Sequence, residues 1–573
     1  MKFLRTAVLA VTTALLLASC ARTDHAAPEN PLLAFVGADT PYLFANLQPL
    51  PAEVVDVYLE RVGPTLGLAQ ALLDDIDFEV AAGAEGNEGA RLAAAVFEEL
   101  DGKFNRAGIE SLGFSLRSYQ AVYGMGVFPV VRLGLGDPDA LRAAIARVEA
   151  AAGMAFPTET LADTTYWRIA GSGIGLYLAI LDQHAALGVF PTAAETEFLP
   201  VFLGLQPPAA AADWNRELAR IDQAQGFTGH GSGFLDLQRL TEELLDAGST
   251  TSIQLERAGL AQPQLADLDE ICKQEYRALA AKAPRMLAGT TELATDAVGI
   301  RYLLALDQTL AGELTTLVAE VPVASDSERL LLSAALGIRM GRLHEMLRQK
   351  LTARSENPFR CPHLADLNTQ AAQLLAQLDR PLPPFVGNLF GFRLEVQDLD
   401  LRQPGPENAT GMFSLEVDKP QMLTGMAEMF VPGFDGLGLE PGGEPVEVPQ
   451  ELASISMDGL HLYAAMSDRA IGLALGEGQR EGLAEFMAAE ADNDGTFLSV
   501  SYDMGRYLEL QQHMQQRYFD PGREGSDADA ELEQLQDAVA SLQESYRAWL
   551  GRTRMDVSFT PAGIEIDTRM TFR

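Results

Sequence analysis

The chain has 573 residues, 47% of them hydrophobic, and its 42 Lys and Arg face 80 Asp and Glu for a formal net charge of −38. That length and apolar content are enough for two to four domains with sizeable cores. So acidic a body repels phosphate backbones, so nucleic acid is not expected as a partner, and a solvated acidic surface accounts for the charge.

The chain opens with Lys2 and Arg5, followed by an apolar run from Ala7 to Leu17. A membrane-spanning helix needs about 20 apolar residues, so this run is too short to span comfortably. It ends at Leu17-Ala18-Ser19-Cys20 and turns polar at once. A basic start, a short apolar core and small residues before a cut describe a secretory signal. The sequence LASC resembles the lipobox of bacterial lipoproteins. The resemblance covers the first 20 residues. It implies that residues 1–20 carry the signal, that the thiol of Cys20 receives a diacylglycerol, and that the amine freed by cleavage is acylated with a chain such as palmitate. Two or three acyl chains anchor stably where one alone is marginal. Ala21 stands where a retained inner-membrane lipoprotein tends to carry aspartate. The resemblance thus implies a lipid anchor in the outer membrane, facing the periplasm. Residues 21–31, polar with two prolines, read as a tether.

Beyond the tether the chain reads as two related α+β modules, 32–325 and 326–573, each an antiparallel sheet of hairpins backed by helices. The segment from Gly173, GIGLYLAILDQHAALGVFPTAAE, aligns with GLHLYAAMSDRAIGLALGEGQRE from Gly459. Gly173 falls on Gly459, Tyr177 on Tyr463, Asp182 on Asp468 and Glu195 on Glu481. Each reads as strand, turn, strand, then helix start. Further pairs keep the same order. YLFANLQPLPAEVV matches LLLSAALGIRMGRL, and SLGFSL around Gly113 matches LFGFRL around Gly391. VVRLGLGDPDALRAAIARV matches MFSLEVDKPQMLTGMAEMF, a strand, a break and an amphipathic helix. GFLDLQRLTEELL matches SYDMGRYLELQQHM. Two final hairpins are expected to turn at Gly299 and Gly563. In the last one Met555, Val557 and Phe559 alternate with Asp556, Ser558 and Thr560, so one sheet face is buried and one is wet. Ala528 to Leu550 reads as a long helix with one apolar stripe.

Cys272 and Cys361 are the cysteines besides Cys20, both in helix-like stretches. In an oxidising compartment they are a disulfide candidate, and closing a loop of about 90 residues would stabilise by roughly 4–5 kcal/mol through loop-closure entropy. Two free buried thiols are the other arrangement. No CxxC points to zinc or redox chemistry.

The sequence carries no recognisable catalytic, cofactor-binding or metal-binding pattern and implies no cofactor. The seven histidines contain no HExxH pair. GHGSG, Gly229 to Gly233, has Ser232 in the wrong register for a nucleophile elbow, and a strand end explains it. Asp492, Asp494 and Gly495 resemble half an EF-hand loop, but Ser501 stands where the bidentate glutamate belongs. The glycines Gly171, Gly173 and Gly175 read as turn residues between strands. Met422, Met426, Met429 and Phe430 form a helical stripe for which core packing is expected. The expected function is therefore a non-catalytic one: a membrane-anchored envelope protein that binds a partner or supports assembly. A carrier of lipid or another apolar ligand, and an enzyme whose carboxylates hide among the 80 acids, are the alternatives.

Overall fold

The computed structural model describes residues 29–74, 88–171, 173–260, 268–380, 383, 385–399, 409–449, 452, 461–491, 495–518, 541 and 543–573. The chain divides into two compact units. Unit 1 holds residues 1–302 and 525–549, and unit 2 holds 303–524 and 550–573. Both are α+β, with antiparallel sheets and flanking helices.

Unit 1 is built on strands β1 (Tyr42–Ala45), β2 (Gln120–Met125), β3 (Phe128–Gly134), β4 (Thr158–Leu161), β5 (Thr164–Ala170), β6 (Ile174–Leu181), β7 (His184–Pro191), β8 (Ser232–Asp236), β9 (Arg285–Ala294) and β10 (Ala297–Ala305). Its helices are α1 (Ala52–Asp74), α2 (Glu88–Leu100), α3 (Arg106–Ser111), α4 (Pro138–Ala152), α5 (Glu195–Phe202), α6 (Trp214–Gln225), α7 (Leu237–Leu245), α8 (Thr250–Arg257) and α9 (Glu270–Ala280). The strands lie side by side as β4-β5-β6-β7-β3-β2-β1-β8-β9-β10, each antiparallel to its neighbour from β4 to β9.

Local chemistry sets these elements. Asp137 caps α4 by accepting from the N–H groups of Asp139 and Ala140, and Pro138 supplies a preset first turn. Gly153 ends the helix in the left-handed region at φ 63°. Leu141, Ala144, Val148 and Ala152 form its buried stripe, and Leu141 joins Leu135, Ile180 and Ala185 beneath the sheet. The β6–β7 hairpin turns on Asp182 and Gln183, with Asp182 at φ 40°. Such tight hairpins require positive φ, which aspartate tolerates.

Unit 2 carries β11 (Leu332–Gly337), β12 (Leu389–Leu399), β13 (Ala409–Val417), β14 (Val446–Glu447), β15 (Leu462–Met466), β16 (Ala470–Leu475), β17 (Thr496–Asp503), β18 (Leu550–Thr560) and β19 (Gly563–Phe572). Its helices are α10 (Gln308–Thr315), α11 (Met340–Glu356), α12 (Ala365–Leu378), α13 (Pro420–Phe430), α14 (Gln479–Ala488) and α15 (Met504–Tyr518). The strand order is β14-β15-β16-β13-β12-β11-β17-β18-β19, antiparallel throughout. Counted along the chain and leaving out the edge strand β4, unit 1 follows the same order. Met412, Ala465, Ala474, Leu483 and Phe486 pack where α14 covers β13, β15 and β16.

Several sequence expectations shift in detail. Gly113 lies in the turn after α3 at φ 89°, so SLGFSL is not the expected strand; the strand that holds the place of β12 in the order of unit 1 is Gln120–Met125. The hairpin turns fall at Thr295–Asp296 and Pro561–Ala562, with Gly299 inside β10 and Gly563 opening β19. Leu550 opens β18 rather than closing a helix; residues 541 and 543–549 are helical, and the rest of that expected helix lies outside the described residues. Cys272 is in α9, whereas Cys361 precedes a short 3₁₀ turn at Pro362–Leu364. Both cysteines are buried and disulfide-bonded.

Candidate functional site

Cys20, the lipidation candidate, lies outside the described residues, as do His25, Asp492 and Asp494. Gly495 is described: it sits at φ 90° just before β17, the turn position expected of it. Among the described residues no three His, Cys, Asp or Glu are placed to hold a metal ion, and no helix is long and apolar enough to cross a membrane.

The GHGSG loop enters β8 and is fixed by backbone contacts. The carbonyl of Gly229 accepts from the N–H groups of Leu47 at 2.7 Å and Gln48 at 2.9 Å. Nδ1 of His230 bonds the carbonyl of Pro49 at 3.0 Å, so that nitrogen carries its proton. Ser232 is buried and pairs with Ala45 and Gly289 across the sheet. At Gly233 an added Cβ would lie 2.1 Å from the carbonyl of Leu43, so close strand approach explains the glycine.

One acid beside this loop was not singled out in the sequence. Asp222 lies in the last turn of α6, on the buried stripe formed with Trp214, Leu218 and Ile221. Neither of its carboxylate oxygens meets a hydrogen-bond donor. Burial pushes its carboxyl up to about 6; the nearby hydroxyl of Ser232 offsets part of this without closing a bond of normal geometry. The signal was present: an acid on the apolar face of an amphipathic helix.

A second buried centre of unit 1 surrounds Arg132 on β3, which is wholly inaccessible. Its Nε donates to the hydroxyl of Tyr123 at 3.0 Å and its Nη2 to the carbonyl of Phe202 at 2.7 Å. Its Nη1 is 2.9 Å from Nε2 of His184. Guanidinium cannot accept, so Nε2 is the acceptor and the imidazole is neutral with its proton on Nδ1. Burial first, then the Arg132 charge, pull His184 down to about 4. The ring of Phe35 lies 3.9 Å below the guanidinium. Phe202 ends α5, where carbonyls carry partial negative charge, so the cation caps the helix. Every polar partner of the cation is neutral, so this centre is a structural lock.

An open groove of about 680 Å³ runs along unit 1 between α7 and α9. It is lined by Ala38, Asp39, Gln238, Arg239, Thr241, Glu242, Glu243 and Arg277 among others. Arg239 donates to the carbonyl of Ala38 at 2.7 Å, and Arg277 holds both oxygens of Glu242 at 2.8 and 3.0 Å. Glu243 accepts from the hydroxyl of Thr251 at 2.6 Å. The groove's two arginines are paired, Arg239 with Asp236 at 3.5 Å and Arg277 with Glu242. Such a surface can exchange internal ion pairs for those of a polar partner.

The remaining described histidines are dispersed. Nε2 of His344 bonds the carbonyl of Leu378 at 2.8 Å, and Nδ1 of His461 lies 3.1 Å from Glu447. The methionine stripe departs from its expected core packing. None of Met422, Met426 and Met429 is buried, and Met429 and Phe430 are 73% and 77% exposed.

No family model matches the chain, and no curated protein or solved structure matches it either.

Proposed function

We propose that this chain is a lipid-anchored envelope protein with a non-catalytic binding or assembly role, held in the outer membrane and facing the periplasm. The observation that carries the reading is Leu17-Ala18-Ser19-Cys20 at the end of a short apolar run begun by Lys2 and Arg5. Acyl chains on Cys20 supply the membrane contact. An envelope protein is the proposed partner class, and the paired charges of the Arg239–Arg277 groove offer a polar surface for one. We also infer that the two units are copies of one module, a reading supported by their common strand order and by the matched segments of the sequence.

Labelled palmitate tests the anchor. The chain expressed with its leader incorporates the label, and Cys20→Ser loses it. Equal labelling of the two, or none in either, would remove the anchor and with it the proposed location.

A further inference from the structure

The C-terminal end of α13 in unit 2 presents six consecutive residues with neither charge nor hydrogen-bonding side chain, Met429-Phe430-Val431-Pro432-Gly433-Phe434. Met429 and Phe430 are 73% and 77% exposed, and Val431 is exposed beside them. A closed turn holds this tip. The N–H of Val431 bonds the carbonyl of Ala427 at 2.7 Å, and that of Phe434 bonds Val431 at 3.2 Å. Gly433 takes φ 86°, which lets the chain fold back without a strained side chain. The two large side chains are therefore presented by formed structure.

We propose that this tip dips into the surface of a lipid bilayer with neutral headgroups. Area decides against a second copy. Two exposed side chains of this size leave on the order of 300 Å² in water, so tip on tip would bury roughly 600 Å², well short of the ~1,200 Å² of a stable interface. It would also bring Glu428 and Asp435 of both copies together. A specific protein partner needs a comparable area and about one hydrogen bond per 100–200 Å², and the tip itself has no side-chain donor or acceptor. A bilayer needs neither pocket nor hydrogen-bond register; it takes apolar side chains by area alone. The charges on either side of the tip, Glu428 and Asp435, are both acidic and exposed, so anionic headgroups are disfavoured and neutral ones are the match. The inference deepens the anchored reading in one respect only: acyl chains on Cys20 would keep a bilayer at high effective concentration, where a weak insertion suffices.

The test holds the full chain on phosphatidylcholine vesicles through a C-terminal histidine tag and nickel-chelating lipid, so a failure of the acyl anchor does not interfere. An environment-sensitive fluorophore is placed on Phe430→Cys, with Leu374→Cys on exposed α12 as the control. Nitroxide-bearing lipid is expected to quench the Phe430 label at least about twofold and leave the Leu374 label unchanged, and Met429→Asp should reduce that quenching severalfold. Equal response of both labels would overturn the proposal. So would quenching confined to cationic vesicles, which would report attraction of the acidic body, or a blue shift without vesicles that grows with protein concentration, which would report self-association.

Discussion

Both units bury an arginine against the end of a helix, and they balance it differently. In unit 1, Arg132 donates to the carbonyl of Phe202 at the end of α5, and its other partners are the neutral Tyr123 and His184. In unit 2, Arg393 on β12 donates to the carbonyl of Phe486 in α14 at 2.6 Å and lies 4.2 Å over the Phe486 ring. Two acids stand near it. Burial pushes Glu416 up, while its bond from Ser414 at 2.7 Å and then Arg393 hold it down. Burial likewise raises Glu395, and Arg393 opposes that. The same need, donors for a helix end beneath a sheet, is met in one unit by a cation among neutral dipoles and in the other by a cation beside two carboxyls that burial pushes up. A buried charge without a counter-ion survives only where each acceptor aimed at it is fixed, so unit 1 is the more brittle design.

Five substitutions test that contrast. Arg132→Ala has the largest expected effect. It leaves the buried Tyr123 hydroxyl and Phe202 carbonyl and the half-buried His184 ring without their donor, at about 1–3 kcal/mol each, so unit 1 should lose about 3–5 kcal/mol once the relief of an isolated buried charge is set against this. Hydrogen exchange in β2, β3 and β7 reads the loss. A change below 1 kcal/mol would show that the lock does not bear on stability.

Asp222→Asn comes next and acts with the opposite sign. The folded carboxyl titrates near 6, above its ordinary 3.8. The folded state therefore binds the proton more tightly, and stability is fully present below pH 3.8 and lost as pH rises through 6. The penalty at pH 7.5 is about 3 kcal/mol, at 1.36 kcal/mol per unit. Asparagine should raise stability by up to that amount at pH 7.5 and change it little at pH 3.5, as denaturant melts at the two pH values will show. Among the described residues between α14 and β17 of unit 2 no helix stands in the place of α6, so this dependence is assigned to unit 1.

Arg393→Ala should cost about 2 kcal/mol, since one carbonyl loses its donor while Glu416 and Glu395 can take up protons instead. Its sharper readout is titration: both acids move further up, whereas Arg132→Ala moves His184 up from about 4. Carbon-detected NMR of the carboxyl and imidazole groups separates the two. The smallest difference is at the aligned tyrosines. Tyr177 donates to Glu195 at 2.6 Å and stacks on Phe190 at 4.0 Å, and Tyr177→Phe should cost about 1 kcal/mol. Tyr463, half-buried in its cluster, should tolerate phenylalanine within about 0.5 kcal/mol. Equal costs would mean that the two positions do the same work.

Patterns with a period were legible in the sequence and contacts without one were not. The β18–β19 hairpin, the Asp137-Pro138 break before α4, and the paired hairpins of β6–β7 and β15–β16 follow from local rules, and the structure holds each of them; the buried and wet faces expected from alternation in the last hairpin are not found, since Met555 to Thr560 are all half-buried. The turn at Thr295–Asp296 was misplaced because Gly299 is the more obvious turn residue, yet it sits in β10 where an added Cβ would crowd Thr291. The methionine stripe misled for the converse reason: an apolar period says that a face could be buried, and only packing says whether anything covers it. Arg132 was invisible because its partners come from three other elements, β2, β7 and α5. Asp222 could have been found, since its helix stripe was readable from Trp214 onward.

The proposed location rests on one sulfur, and the intact mass of the mature chain tests it most directly. Expressed with its own leader in a bacterium, the protein should begin at Cys20 and carry the added mass of a thioether-linked diacylglycerol and an amide-linked acyl chain. A chain that keeps Met1, or one cut elsewhere with Cys20 unmodified, would contradict the anchor and the envelope role built upon it.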